Sequence, residues 1–204
     1  MAIISNAVTM TDAGAFSVGL GAQVLIKTLT ASSSGTLNFV NGASGVVLNS
    51  TYPIYKFEFI DIHAATSGAH FTVNFRDGGT AYDATKTTTT FNTYHDEAGN
   101  NDPVSYSTGG DLAQGTGTQD MAPDLGIDND QSTCGELLLF NPASTTFVKH
   151  FLATVNGMTD GSPPYTEVRY SAGYFNTTTA LTRVQFKMDS GNIDVGDICL
   201  YGIS

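Results

Sequence analysis

The strongest constraint in this sequence is a period of two. Short runs alternate apolar and polar residues, and turn residues interrupt them at roughly eight- to twelve-residue spacing. Ile54-Tyr55-Lys56-Phe57-Glu58-Phe59-Ile60-Asp61-Ile62-His63 is the clearest run. Tyr55, Phe57 and Phe59 face one way and Lys56 and Glu58 the other. Two apolar residues meet at Phe59-Ile60, and Ile60 and Ile62 continue the series, which predicts a β-bulge there. Phe71, Val73 and Phe75 form a second alternating strand, expected to pair with the first across Ala64–Gly68. Arg183, Gln185 and Lys187 point out while Val184, Phe186 and Met188 point in.

Further strands are expected at Val24–Thr30, closed by a turn over Ala31–Gly35, and at Thr36–Val40 and Val46–Asn49 around an Asn41-Gly42 hairpin turn. Glu136–Phe140 reads as a buried strand. Phe147–Val155, with a turn at Asn156-Gly157, Glu167–Phe175 and Ile198–Ile203 complete the set of about eleven strands. No window keeps a helical period, and segments 11–23 and 111–122 are too polar and Gly-rich for a stable helix. Residues 77–130 are polar and poor in aliphatics. They read as one long loop region with one or two embedded strands, Thr87–Thr93 being the strand-like stretch, and as the place for a partner contact. The expectation is an all-β chain, a jelly-roll-like antiparallel β-sandwich with one long polar loop region. An N-terminal β segment, 1–50, precedes the sandwich domain, 51–204, and serves as an attachment arm or as its first strands.

Composition narrows the function. Of 204 residues, 41% are hydrophobic but only 13% charged, so the surface is built from Thr, Ser, Asn and Gly. The formal charge is −11 with 8 basic residues, scattered along the chain. Phosphate neutralisation needs clustered cations, so nucleic acid and anionic membranes are excluded as partners. Met1–Asn6 carries neither a basic nor a long apolar region, so no secretory signal is expected. Cys134 and Cys199 belong to no metal or redox motif and read as two buried small hydrophobes, with no disulfide implied.

Motifs for chemistry are absent: no nucleophile elbow, P-loop, dinucleotide fingerprint or zinc helix occurs. His95-Asp96-Glu97 is the most enzyme-like cluster, but consecutive strand residues diverge, and the following Ala98–Asn101 reads as a solvated turn. Asp120, Asp124, Asp128, Asp130 and Glu136 could supply a glycosidase pair. Against this, the chain lacks Trp platforms. Asp128-x-Asp130-x-Ser132 opens like a calcium loop, then fails at Thr133 and Leu139. An irregular calcium site around Asp128 and Asp130 stays open beside the reading as an acidic, solvated loop. His63, His70 and His150 are isolated, although His63 and His70 are placed where they could approach each other. Tyr165, Tyr170 and Tyr174 offer either a sugar-stacking or partner face, or core and subunit packing. No catalytic, cofactor-binding or metal residue is assigned, and no enzyme activity or cofactor is expected.

Leu181-Thr182-Arg183-Val184-Gln185-Phe186, Ser190-Gly191-Asn192-Ile193 and Gly196 through Leu200-Tyr201-Gly202-Ile203 resemble the closing segment of structural proteins of tailed, especially marine, bacteriophages. Tyr55–Phe59, Cys134–Leu137 and Phe140–Pro142 are similar in order and spacing. The resemblance touches about half the chain from residue 52 onward and carries over no functional residue. It implies a virion protein of tail-fibre, appendage or head-decoration type, made in the host cytoplasm. Long-fibre members carry an N-terminal anchor, and the short β-forming segment here favours a compact knob, decoration or short appendage. The expected partners are copies of itself, with three-fold virion sites favouring a homotrimer, and capsid or tail proteins. The alternative is a tail-associated receptor-binding module that recognises host surface glycan.

Overall fold

The computed structural model describes residues 22–100 and 102–204, with the backbone of residues 4–5 and 8–9. The N-terminal expectations for Met1–Asn6 and for most of segment 11–23 lie outside the described residues. In chain order the strands are β1 (Ile4–Ser5), β2 (Val8–Thr9), β3 (Gln23–Ser34), β4 (Leu37–Val40), β5 (Ile54–Ala64), β6 (Ala69–Arg76) and β7 (Lys86–Asp96). They continue as β8 (Val104–Tyr106), β9 (Gln119–Leu125), β10 (Thr133–Phe140), β11 (His150–Met158), β12 (Tyr165–Phe175), β13 (Arg183–Met188) and β14 (Ile193–Ile203).

The strands form an eight-stranded sheet, β3-β14-β5-β10-β11-β12-β7-β8, and a four-stranded sheet, β4-β13-β6-β9, both antiparallel, while β1 and β2 pair only with each other. Without β7, β8, β11 and β12, the two main sheets are β3-β14-β5-β10 and β4-β13-β6-β9. That is the wiring of a jelly roll: eight strands, two interlocked Greek keys, two facing sheets. The other four strands are insertions. β7 and β8 enter after β6, β11 and β12 after β10, and the β12–β7 pairing joins them into a wing that widens one sheet. Strands β3 and β4, within segment 1–50, belong to the two sheets.

The alternating apolar rows meet between the sheets. Phe186 of β13 sits among Phe39, Phe57, Phe59 and Phe71, with centroids 5.2–6.1 Å apart: edge to face with Phe39 and Phe59, tilted on Phe57 and stacked on Phe71. Phe75, Phe151 and Phe175 form a second aromatic group towards the wing.

Several expectations are corrected. β5 and β6 do not pair; they lie in opposite sheets, with Phe59 against Phe71 at 5.2 Å. Facing each other buries both apolar rows, whereas edge pairing leaves each row still to be covered. Val46–Asn49 is no strand. Asn41 Oδ1 accepts the Leu48 N–H, and the loop drops Val46 and Leu48 into the core. β3 runs through to Ser34, past the expected turn at Ala31. β11 continues through Asn156-Gly157, and Gly157 pairs with Thr133 and Glu167. Residues 77–130 are not one long loop, because they hold β7, β8 and β9. Thr-rich strands carry little apolar signal in sequence, yet β-branched Thr suits a pleated surface. Cys199 is buried, but Cys134 is exposed, beside the bulge, where its sulfur accepts the Asp61 N–H.

Candidate functional site

Two surfaces stand out. The first is the outer face of the eight-stranded sheet. The register aligns Ile203, Ile54, Phe140, His150 and Tyr174 in one cross-strand row. Next to it run Leu25, Tyr201, Lys56, Leu138, Leu152, Ala172 and Thr89. A third row holds Glu58, Glu136, Thr154, Tyr170, Phe91 and Tyr106. Leu25 is 55% exposed and Leu152 50%, and Phe91 stacks on Tyr170 at 4.8 Å in full view of solvent. Continuous apolar runs such as Glu136–Phe140 belong to strands covered on both faces. Here Leu137 and Leu139 are buried in the core, while Leu138 and Phe140 face outward. The charges in these rows are Lys56, bridged to Glu58 at 2.7 Å and to Glu136 at 3.1 Å, and the titratable His150.

The second surface is a groove made by the wing. The larger sheet is wider than the smaller, so the inner sides of β7 and β12 pass beyond the four-stranded sheet. Their inward residues are polar there: Thr88, Thr90, Glu167, Arg169 and Ser171 are all buried. Asp120 of β9 accepts from Arg169 Nη1 at 2.7 Å and from His70 Nδ1 at 2.9 Å. Arg169 Nη2 reaches Glu167 at 3.4 Å, and Asp124 lies 3.4 Å from the other His70 nitrogen. The hydrogen bond to Asp120 raises the His70 pKa to about 9, against an opposing effect of burial. Burial pushes the Glu167 carboxyl upward, and Arg169 partly offsets it. Gly110 makes room for the guanidinium, since a Cβ there would stand 2.9 Å from Arg169 Nη1. Above this network opens a cleft of about 420 Å3, lined by Asn92, Tyr94, Asp124, the Gly161–Pro163 loop, Tyr165, Glu167 and Arg169. A second cleft of about 360 Å3 shares Asp96 and Tyr165 with it at the strand ends, but its His95, Asn156 and Thr166 stand on the outer-face side of β7, β11 and β12.

The residues singled out in sequence fall into three groups. Asp120 and Asp124 converge on His70, in an arrangement that only β6–β9 pairing creates. Glu136 lies on the outer face with Lys56, far along the sheet from the groove. His63 and His70 each meet carboxylates of their own, Asp194 at 3.5 Å for His63 and Asp120 and Asp124 for His70. Asp128 and Asp130 precede β10, and Thr133 and Leu139 are buried strand residues, so no EF-hand loop forms. Among the described residues, no group of three or more His, Cys, Asp or Glu is placed to hold a metal ion. His95 and Glu97 are exposed at the end of β7, and buried Asp96 accepts the Asn100 N–H. The three Tyr residues separate: Tyr170 and Tyr174 belong to the outer face, Tyr165 to the groove. Sequence reading missed Glu167 and Arg169 as a pair. Their alternation with Val168 and Tyr170 was a usable signal, because a strand that puts charges on one face and apolar residues on the other has two differently employed faces. Compared with known proteins, the chain matches no family model, no curated protein and no solved structure.

Proposed function

We propose that this chain is a non-enzymatic structural protein on the exterior of a tailed-phage particle, a head decoration, knob or short appendage, that assembles with copies of itself. The observation that carries the reading is the uncovered apolar outer face of the eight-stranded sheet. A patch of this size on a monomer marks an interaction surface. Three rows, over five to seven strands at ~4.8 Å each, span about 24–34 by 20 Å, or roughly 500–700 Å2, close to the ~800 Å2 per partner of a standard interface. Charge favours a second copy as the occupant. The molecule carries −11 overall, yet these rows hold mainly the mutually satisfied Lys56, Glu58 and Glu136. Two copies therefore meet with least repulsion on this face.

The phage context rests on the sequence resemblance. Its segments fall on adjacent strands: β14, β5 and β10 neighbour one another, and β13 is central in the facing sheet. Jelly rolls serve in viral capsids and in lectins, so the fold agrees with a particle role without deciding it.

Sedimentation equilibrium and immunogold microscopy test the reading together. A trimer or other closed oligomer, with label on the particle, is expected. Label over the head means decoration, and label at the tail or its vertex means an appendage. A monomer at high micromolar concentration, or particles without label, overturns the proposal.

A further inference from the structure

The groove opens on the face of β12 opposite Tyr170, away from the surface proposed for self-assembly. We propose that it binds a neutral glycan chain. Three features carry this. Its volume, about 420 Å3, falls within the range of small-ligand clefts. Its walls pair aromatic and polar groups. Tyr94 and Tyr165, with centroids 5.2 Å apart and planes at 45°, offer ring faces to the C–H side of a pyranose. Asn92, Asp124 and Glu167 line the same space with acceptors and a donor for vicinal hydroxyls.

The charges decide the ligand class. Arg169 and protonated His70 face Asp120, Asp124 and Glu167, and Asp96, a further acid of the cleft wall, accepts the Asn100 N–H, so the acids outnumber the cations but each is met by a partner within the fold. Arg169 is already committed to Asp120 and Glu167, leaving no free guanidinium fork for a phosphate, sialate or uronate. The carboxylates are likewise committed, to Arg169, to His70 and, for Asp96, to the Asn100 N–H, so an amino sugar or basic peptide gains little. An uncharged polyhydroxyl ligand loses nothing to such a network and finds its dipoles fixed in advance. Fixation is strong here. Arg169 is 6% exposed and held at both terminal nitrogens by Asp120 and Glu167, and Gly161 lets the Tyr165 ring lie against the loop, where a Cβ would stand 2.7 Å away.

The test is saturation-transfer NMR and calorimetry on the full chain in its native oligomeric state. The probes are neutral gluco-, manno-, galacto- and N-acetylglucosamine oligosaccharides of four to six units, with an oligouronate and a chitosan oligomer as charged comparators. At least one neutral series is expected to bind. Tyr94→Ala and Asn92→Ala should each weaken it tenfold or more without lowering Tm, and Leu152→Glu, on the outer face, should leave the affinity unchanged. Two residues are tested so that misfolding of one variant still leaves a readout. Absence of binding by every neutral probe at millimolar concentration overturns the proposal. So does binding that survives both groove substitutions, or binding confined to the charged comparators.

Discussion

Lys149 is fully buried, and its ammonium is held by three backbone carbonyls, those of Ser144, Thr177 and Thr179. A cation surrounded by carbonyl dipoles is a neutral-looking solution to burial, because every donor is used. It ties the loop before β11 to the loop before β13. Lys149→Met keeps the stem and orphans three acceptors, so a loss of about 2–4 kcal/mol is expected in urea denaturation. Lys86, also fully buried, donates to Asn74 Oδ1 and the Ala84 carbonyl, and burial lowers its pKa to about 8. His70 moves the other way. Its folded pKa, about 9, lies above the ordinary 6.5, so protonation is favoured by the fold. The stabilisation is complete below about pH 6.5 and is lost as pH rises through about 9. NMR titration of the His70 ring should give a midpoint near 9. Thermal melts should show wild-type Tm falling between pH 7 and 9.5 more steeply than that of His70→Gln. Lys86, with its lowered pKa, slopes the other way in both proteins, so it is identical profiles for the wild type and His70→Gln over that range that would remove the Asp120 pairing from the account. Sequence marked His70 only as an isolated histidine, since its partners are about fifty residues away along the chain.

The bulge in β5 shows how far local pattern reaches. The period breaks at Phe59-Ile60, and the structure places the extra residue at Ile60-Asp61, where Asp61 has φ of 50°. Ile60 is exposed and Ile62 fully buried, so the alternation resumes in the opposite phase. Both flanking strands shift register there: β10 opposite Cys134 and β14 beside Gly196. Only the β5 half of this was legible. Gly196 has φ of 122°, and a Cβ on it would stand 2.6 Å from the Asp61 carbonyl oxygen and 2.8 Å from the Ile62 Cα. Both contacts are backbone, so no side chain can swing away. Gly196→Ala should cost at least about 2 kcal/mol, from the strained backbone region and the clash together. The same denaturation assay reads it, and a loss under about half that would mean that the bulge relaxes.

The acidic charge and the apolar sheet face pull assembly in opposite directions. At −11 per copy, self-association brings like charges together, while the outer face gains from leaving water. Raising ionic strength from about 10 mM to 150 mM shortens the screening length from ~30 to ~8 Å. Self-association measured by sedimentation should therefore tighten with salt, opposite to an interface held by complementary charges. Leu152→Glu puts a carboxylate into the middle of the face and should shift the protein to monomer, with its melting temperature, read on the monomer, nearly unchanged. Unaltered sedimentation would place any oligomer contact elsewhere. What the sequence determined by itself was local: strands from the period of two, the bulge from its phase break, the all-β class from the lack of any helical period. These follow from contacts between neighbours in the chain and from which side of each strand is apolar. Which strands face and which pair, that β7 and β12 form a wing, that Asp120, Asp124, Glu167, Arg169 and His70 meet, and that Leu138 and Phe140 lie uncovered were decided only by the tertiary structure. Jelly-roll crossovers join residues some fifty to one hundred and seventy positions apart, and an alternating pattern states that a face is apolar without stating what covers it.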